Sequence, residues 1–351
     1  MRLLICTQKV DKNDDVLGFF HDWVGEFARQ ATAVTVLALE VGAYDLPANV
    51  RVFSLGKEKR PSRLLYIFNF YRIIWRERKN YDAVFVHMNP EYVVLGGILW
   101  KALGKRIALW YTHKSVNTTL RLAAHGADAV FTASPESFRL PTKKLHIMGH
   151  GIDAARWGAL PRHRDDKFYI LTIGRLSRTK GYTTFLEALK LLKESGKIFE
   201  ALIVGGPVTP DDERYVSELT EEIRRRGLWG IVYSVGAVAH HDIGQYLAKA
   251  DLFVNMSATG SLDKAVLEAM AAKIPVLTSN EGLATVPAKQ KDTCMFTPGD
   301  AKEFAAKMTT LMDMSDAERT QLGEELRAIV TQDHALPALI KRILARLQPT
   351  E

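Results

Sequence analysis

Short runs of β-branched and apolar residues alternate with helix-length stretches along this chain, and the alternation starts afresh halfway through. In the first half the runs fall at 3–7, 33–39, 50–54, 83–87, 106–112, 129–133 and 145–148; in the second they fall at 168–173, 200–204, 231–235, 252–256, 275–279 and 294–296. Helical patterns such as 183–195 and 211–226 separate them, and three more, 301–312, 316–331 and 336–347, close the chain. That rhythm predicts an α/β protein with two doubly wound parallel sheets in tandem. A chain of 351 residues is too long for one ordinary core and suits two such domains.

The break falls at Gly149-His150-Gly151-Ile152-Asp153 and the polar stretch 162–167, where a turn and a hinge are expected. Residues 1–152 then form one Rossmann-like domain and 153–335 a second, with the terminal helix 336–351 packing back on the first. With 47% hydrophobic and 25% charged residues, no long stretch reads as disordered. The N-terminal run ends after Cys6 in a polar segment, which fits a first strand better than a signal peptide. No window approaches the length of a membrane span. Cys6 and Cys294 lie far apart in apolar runs, so free buried thiols and a cytoplasmic location are expected.

Charge is unevenly divided. Residues 1–150 hold 21 Lys and Arg against 13 Asp and Glu, while 151–351 hold 26 against 27. A one-sided basic field suits an anionic partner: nucleic acid, anionic lipid headgroups or a phosphorylated acceptor, against the plainer reading of a solubility device. Nucleic acid has only this charge to recommend it, since no recognition motif accompanies it. The basic, aromatic stretch 57–79 is apolar almost all round its helix. Such a helix is either core with solvated ends or a contact for anionic lipid headgroups, and both require the apolar face.

The chemistry concentrates in two segments of the second half. In Ile173-Gly174-Arg175-Leu176-Ser177-Arg178-Thr179-Lys180-Gly181, Arg175 and Lys180 sit on a strand-to-helix loop, where two cations could neutralise a diphosphate. Both stand near a helix start, a poor place for cations without an anion. In Thr259-Gly260-Ser261-Leu262-Asp263-Lys264-Ala265-Val266-Leu267-Glu268, a glycine turn leads into a helix bearing Glu268, a carboxylate suited to ribose hydroxyls. Asp263 could cap that helix or reach a sugar, and Lys264 offers a further cation.

The first of these blocks, followed in order by Val204-Gly205-Gly206-Pro207, Ala250-Asp251-Leu252-Phe253-Val254-Asn255-Met256-Ser257, the helix around Glu268 and Ile274-Pro275-Val276, closely resembles the C-terminal domain of family 4 glycosyltransferases. The resemblance is strong over about 166–335 and weaker, though collinear, over 1–150. It implies the GT-B fold, with the active site in the cleft between two lobes, and a retaining transfer from a UDP- or GDP-linked sugar to a glycan or lipid-linked acceptor. No metal or other cofactor is implied. It assigns the donor diphosphate to Arg175 and Lys180 and the ribose to Glu268, with Gly174, Gly205, Gly260, Ser261, Leu262, Asp263 and Lys264 around the donor.

On the N-terminal side His113 matches the histidine that points at the donor sugar, Gly18 matches the first glycine loop, and His150 matches a hinge-strand position whose other reading is a turn. Many family members meet lipid-linked acceptors, which implies a peripheral place on the inner face of a membrane. One departure stands out: the first glutamate of the family's E-x7-E motif falls at Gly260. The carboxylate that contacts the transferred sugar is therefore missing, which leaves a rival reading as a non-catalytic nucleotide-sugar-binding or regulatory protein.

Overall fold

A computed structural model of the chain describes residues 1–162, 166–257, 263–285 and 288–348. These fall into two compact units, Met1–Gly151 with Ala239–His241 and Leu336–Glu351, and Ile152–Val238 with Asp242–Ala335.

The first unit is a seven-stranded parallel sheet of β1 (Arg2–Val10), β2 (Ala33–Val41), β3 (Val50–Ser54), β4 (Ala83–His87), β5 (Arg106–Trp110), β6 (Ala129–Thr132) and β7 (Leu145–Ile147). Helices α1 (Gly18–Gln30), α2 (Arg63–Arg76), α3 (Glu91–Ala102) and α4 (Thr118–Gly126) make the crossovers. The order β3-β2-β1-β4-β5-β6-β7 reverses direction between β1 and β4. Strands such as β4 are buried along their whole length, because helices cover both faces of the sheet. One face packs on α1, the other on α2, α3 and α4, giving two separate apolar clusters.

The second unit opens with α5 (Ala154–Gly158) and carries β8 (Tyr169–Ile173), α6 (Tyr182–Glu194), β9 (Glu200–Val204), α7 (Pro210–Arg225), β10 (Val232–Gly236), α8 (Gly244–Lys249), β11 (Leu252–Asn255), α9 (Lys264–Ala271), β12 (Val276–Thr278), α10 (Ala288–Cys294), α11 (Ala301–Asp313) and α12 (Asp316–Asp333). Its five parallel strands run β10-β9-β8-β11-β12, with the reversal between β8 and β11. The run 294–296, expected as a strand, is instead the end of α10 followed by a single bridge from Met295 to Thr278. Cys6 and Cys294 are free and buried, and burial pushes the Cys294 thiol up to about 12.

The last helix, α13 (Leu336–Leu347), buries Leu339, Ile340 and Ile343 in the same cluster as α1. The Arg342 guanidinium donates to the Met148 carbonyl at 2.6 Å, which fixes the helix on the first unit. Among the described residues no helix is long and apolar enough to cross a membrane.

Candidate functional site

In a doubly wound sheet, ligands collect outside the carboxyl ends of the strands where the order reverses. In the second unit that point lies between β8 and β11. The loop leaving β8 is held at several places. The Gly174 N–H donates to the Val204 carbonyl at 2.9 Å and the Leu176 N–H to Gly206 at 3.0 Å. The hydroxyl of buried Tyr182, at the start of α6, donates back to the Gly174 carbonyl at 3.1 Å. Two glycines make the arrangement possible. Gly205 has φ 139°, and a Cβ there would overlap the Gly174 carbonyl oxygen; Gly181 has φ 72°, and its Cβ would stand 2.7 Å from the Met256 carbonyl oxygen.

The loop so fixed presents three cations in different directions. Arg178 turns to α7, where it donates to both Glu218 oxygens at 2.6 Å and lies 5.1 Å over the Tyr215 ring. Arg175 Nε stands 3.9 Å from Asp212 Oδ2. Lys180 Nζ donates to Asp263 Oδ2 at 2.7 Å. Helix α6 behind them has no acidic residue in its first turn and no side-chain cap, so its positive end adds to the field of the two cations.

Asp212 belongs to the capping box of α7. Burial opposes its charge, but the Thr209 hydroxyl, the Val208 and Thr209 N–H groups and the Arg175 guanidinium together hold its carboxyl below the usual carboxylate range.

From the other side of the switch point come Asn255 and the start of α9. Asn255 ends β11 and donates from Nδ2 to Asp263 Oδ2 at 2.7 Å; its Oδ1 accepts from the Ser257 N–H and the Thr278 hydroxyl, each at 3.2 Å. Asp263 occupies the N-cap position of α9, yet its side chain makes no capping bond. It spends one oxygen on Lys180 and Asn255 instead. Lys264 is half-buried in the first turn of α9, and Glu268, one turn further on, is buried at 4% exposure. Gly260, Ser261 and Leu262 lie outside the described residues. The structure thus brings Gly174, Arg175, Lys180, Asp263 and Asn255 together at one strand edge, with Gly205 beneath them. Asn255 and Asp212 were not singled out in the sequence, although Asn255 ends one of the family blocks.

In the first unit Gly18 begins α1, where a Cβ would stand 3.3 Å from the Lys12 carbonyl oxygen. His113 is exposed, three residues past β5, and so one strand away from the β1/β4 reversal. What lies at that reversal is His87, the buried last residue of β4, with Nδ1 3.2 Å from the Thr7 hydroxyl and its ring 3.9 Å from that of Phe20. The next residue, Met88, has φ 64°, strained for a side chain of its size. A histidine ending a strand run was the only sequence cue here. His150 is buried between Gly149 and Gly151, both with positive φ, and the Trp23 indole N–H donates to the Gly151 carbonyl at 3.1 Å, so it stands in a tightly built turn.

Two tandem doubly wound sheets, with paired cations on the loop after the first strand of the second, define a protein of the GT-B fold. Residues 167–314, within the second unit, match the family model described as glycosyl transferases group 1. The chain is 26% identical over 217 residues to WcaL of Escherichia coli (strain K12), named for colanic acid biosynthesis; the match covers 59% of this chain and 52% of WcaL. It is 24% identical over 316 residues to the 2-deoxystreptamine N-acetyl-D-glucosaminyltransferase of Niallia circulans, covering 76% of this chain and 74% of that one. The chain spans about half the length of the first curated relatives it matches. The crystal structure of Anabaena HepE in complex with UDP and glucose superposes with TM-score 0.75 and 19% identity over 99% of both chains.

Proposed function

We propose that this chain is a retaining, metal-independent glycosyltransferase, moving a sugar from a UDP- or GDP-linked donor to a glycan or lipid-linked acceptor. The observation that carries the reading is the pair Arg175 and Lys180 at the carboxyl edge of β8, each facing a carboxylate beside the uncapped start of α6. Two cations gathered at a helix start suit a diphosphate, which would draw them from those carboxylates. Glu268 would hold the ribose hydroxyls. The HepE complex with UDP and glucose, a neighbour in fold, supports the donor class.

In the reaction proposed here the acceptor hydroxyl oxygen attacks the anomeric carbon on the face the diphosphate leaves. The carbon–phosphate-oxygen bond breaks, and the leaving phosphate oxygen takes the acceptor's proton. Arg175 and Lys180 stabilise the charge gathering on that diphosphate, the role a divalent cation could otherwise fill. The first unit would take the acceptor. Its surplus of basic residues suits a phosphorylated or anionic one, and the buried His87 beside strained Met88 at the β1/β4 reversal marks where it would approach. His113 would face the sugar.

The test offers the full chain UDP- and GDP-sugars with and without EDTA, and follows binding by calorimetry and sugar loss by NMR. Transfer or slow hydrolysis of one donor, unchanged by EDTA and abolished by Lys180→Ala, is expected. Binding without any sugar loss to acceptors or water would favour a non-catalytic nucleotide-sugar-binding protein, and no binding at all would end the reading.

A further inference from the structure

At the amino ends of its strands the second unit holds a cavity of about 220 Å³, whose charged walls are Arg162, Asp251, Lys273, Arg319 and Glu324. Asp251 and Pro275 stand immediately before β11 and β12, whereas Arg175 and Lys180 follow the carboxyl end of β8. A five-residue strand, about 15 Å long, therefore separates the cavity from those two cations.

Lys273 is the unexpected residue of this wall. Helix α9 closes with a left-handed turn, in which the Lys273 N–H donates to the Met270 carbonyl and the Ile274 N–H to that of Ala269, each at 3.0 Å. Glycine usually occupies the left-handed position of such a turn, yet here it is a lysine with φ 62°. Helix α12 holds that backbone in place, since a Cβ on Gly323 would stand 2.1 Å from the Lys273 carbonyl oxygen. Within the chain the ammonium has one acid, Glu324, whose Oε1 lies 2.7 Å from Nζ. Both side chains are well exposed, at 36% and 47%, and such a pair adds little stability. Backbone strain kept for so weak a contact marks a residue that serves a ligand.

Two guanidinium groups complete the wall. Arg319 Nη1 donates to the Met312 and Met314 carbonyls at 3.2 and 2.5 Å, and Nη2 to Asp316 at 2.5 Å. These bonds fix the group and use three of an arginine's five N–H donors. Arg162 Nη2 stands 3.8 Å from Asp251 Oδ1, beyond hydrogen-bond reach. The two acids differ in standing. Asp251 Oδ2 accepts from the Tyr169 N–H at 2.9 Å and so belongs to the sheet, while Glu324 is the most exposed of the five.

We infer that this cavity binds a small phosphate dianion, free or esterified, which takes Lys273 from Glu324 and lies between it and the guanidinium groups of Arg162 and Arg319. Three cations against two carboxylates call for an anion, and ammonium and guanidinium donors together match a phosphate's several acceptor oxygens. The volume lies below the roughly 300 Å³ at which pockets for larger organic ligands begin, so a nucleotide does not fit. The inference uses neither the carboxyl edge of the sheet nor any transfer step, so it stands or falls separately from the transferase reading.

Inorganic phosphate and, separately, glucose 6-phosphate are titrated by calorimetry into the full chain carrying Lys180→Ala, which disables the proposed diphosphate site. Saturable binding of one equivalent is expected; the tighter of the two identifies free or esterified phosphate as the source, and either supports the site. Adding Lys273→Gly should weaken binding by at least about tenfold while leaving the melting temperature unchanged or higher, because glycine relieves the left-handed backbone. Lys273→Asn, which also tolerates that conformation, should lose binding in the same way. Glu324→Gln removes the competing charge and should tighten binding by about threefold. A lysine kept for the fold alone would give the opposite pattern, stability lost and phosphate affinity unmoved. That pattern overturns the proposal, as does an absence of saturable binding or a preference for succinate over phosphate.

Discussion

The Lys180 ammonium donates to the Asp263 carboxylate at 2.7 Å across 83 positions of sequence, and the same Asp263 oxygen accepts from Asn255. Without a donor, the cation proposed for the diphosphate already has an internal anion. A diphosphate must therefore take Lys180 from Asp263 or be repelled by it. Asp263→Asn keeps the Asn255 side of the network and removes the competing charge, so UDP or GDP should bind about tenfold more tightly. Lys180→Ala should weaken the same nucleotide by at least about tenfold. Calorimetry with the nucleotide alone isolates this effect. If Asp263→Asn leaves the nucleotide unchanged but weakens only the intact sugar donor, Asp263 grips the sugar instead.

Glu268 is assigned to the ribose, and a ribose contact leaves a chemical fingerprint. Glu268→Gln retains the shape of a buried side chain but removes the charge and turns one of its two acceptor oxygens into an NH2 donor. Affinity for the ribonucleotide should fall by about tenfold, on the scale of one charge-assisted hydrogen bond. Against the matching nucleotides lacking the 2′- or 3′-hydroxyl, parent and variant should bind alike for the hydroxyl that Glu268 holds. An equal loss with all three would move the ribose contact elsewhere.

The layout of both sheets was legible because parallel strands buried on two faces leave continuous apolar runs that periodicity detects. The run at 294–296 misled for the reason such runs often do: a short apolar stretch reads alike as strand and as buried helix end. Arg175, Lys180 and Glu268 stood out because their spacing is local. The partners Asp212, Asn255 and Thr278 did not, since a bond from Lys180 to Asp263 or from Thr278 to Asn255 exists only after the sheet has assembled. Asp263 carried the sequence signature of a helix cap, and tertiary pairing with Lys180 took its side chain instead. The strain at Met88 left no trace in residue type. For α2, periodicity could not tell which of two apolar sides faces the sheet.

Stability should fall in acid through Glu77. Burial opposes its charge, yet hydrogen bonds from Asn80 and Arg76 and the nearby Arg51 guanidinium hold its carboxyl below the ordinary value of 4.5. Since the folded value lies under the unfolded one, the stabilisation is complete above about pH 5 and is lost as pH falls below 4.5 toward the folded value. Glu77→Gln should cost about 1–2 kcal/mol at neutral pH. It should also flatten the decline of urea-unfolding stability as pH falls below about 5, where the unfolded chain's Glu77 takes up a proton that the folded chain's Glu77 does not. Parallel pH profiles for parent and variant would show that Glu77 contributes nothing to acid sensitivity.

Gly205 couples stability to the site. Its φ of 139° belongs to glycine, and a Cβ would collide with the Gly174 carbonyl oxygen, the atom that accepts the Tyr182 hydroxyl bond. Gly205→Ala must therefore push the β8–α6 loop away from β9, at a cost of about 3 kcal/mol or more. Gly104, with φ 67° and nothing within 4 Å of a Cβ, is the control: Gly104→Ala carries the backbone strain alone and should cost about 1 kcal/mol. Urea denaturation separates the two. At temperatures where both variants remain folded, nucleotide affinity should drop only for Gly205→Ala, because displacing Gly174 moves Arg175 and Lys180 with it. Undiminished binding by that variant would mean the loop can shift without disturbing the cations, and that the tight fit of Gly205 under Gly174 serves the fold alone.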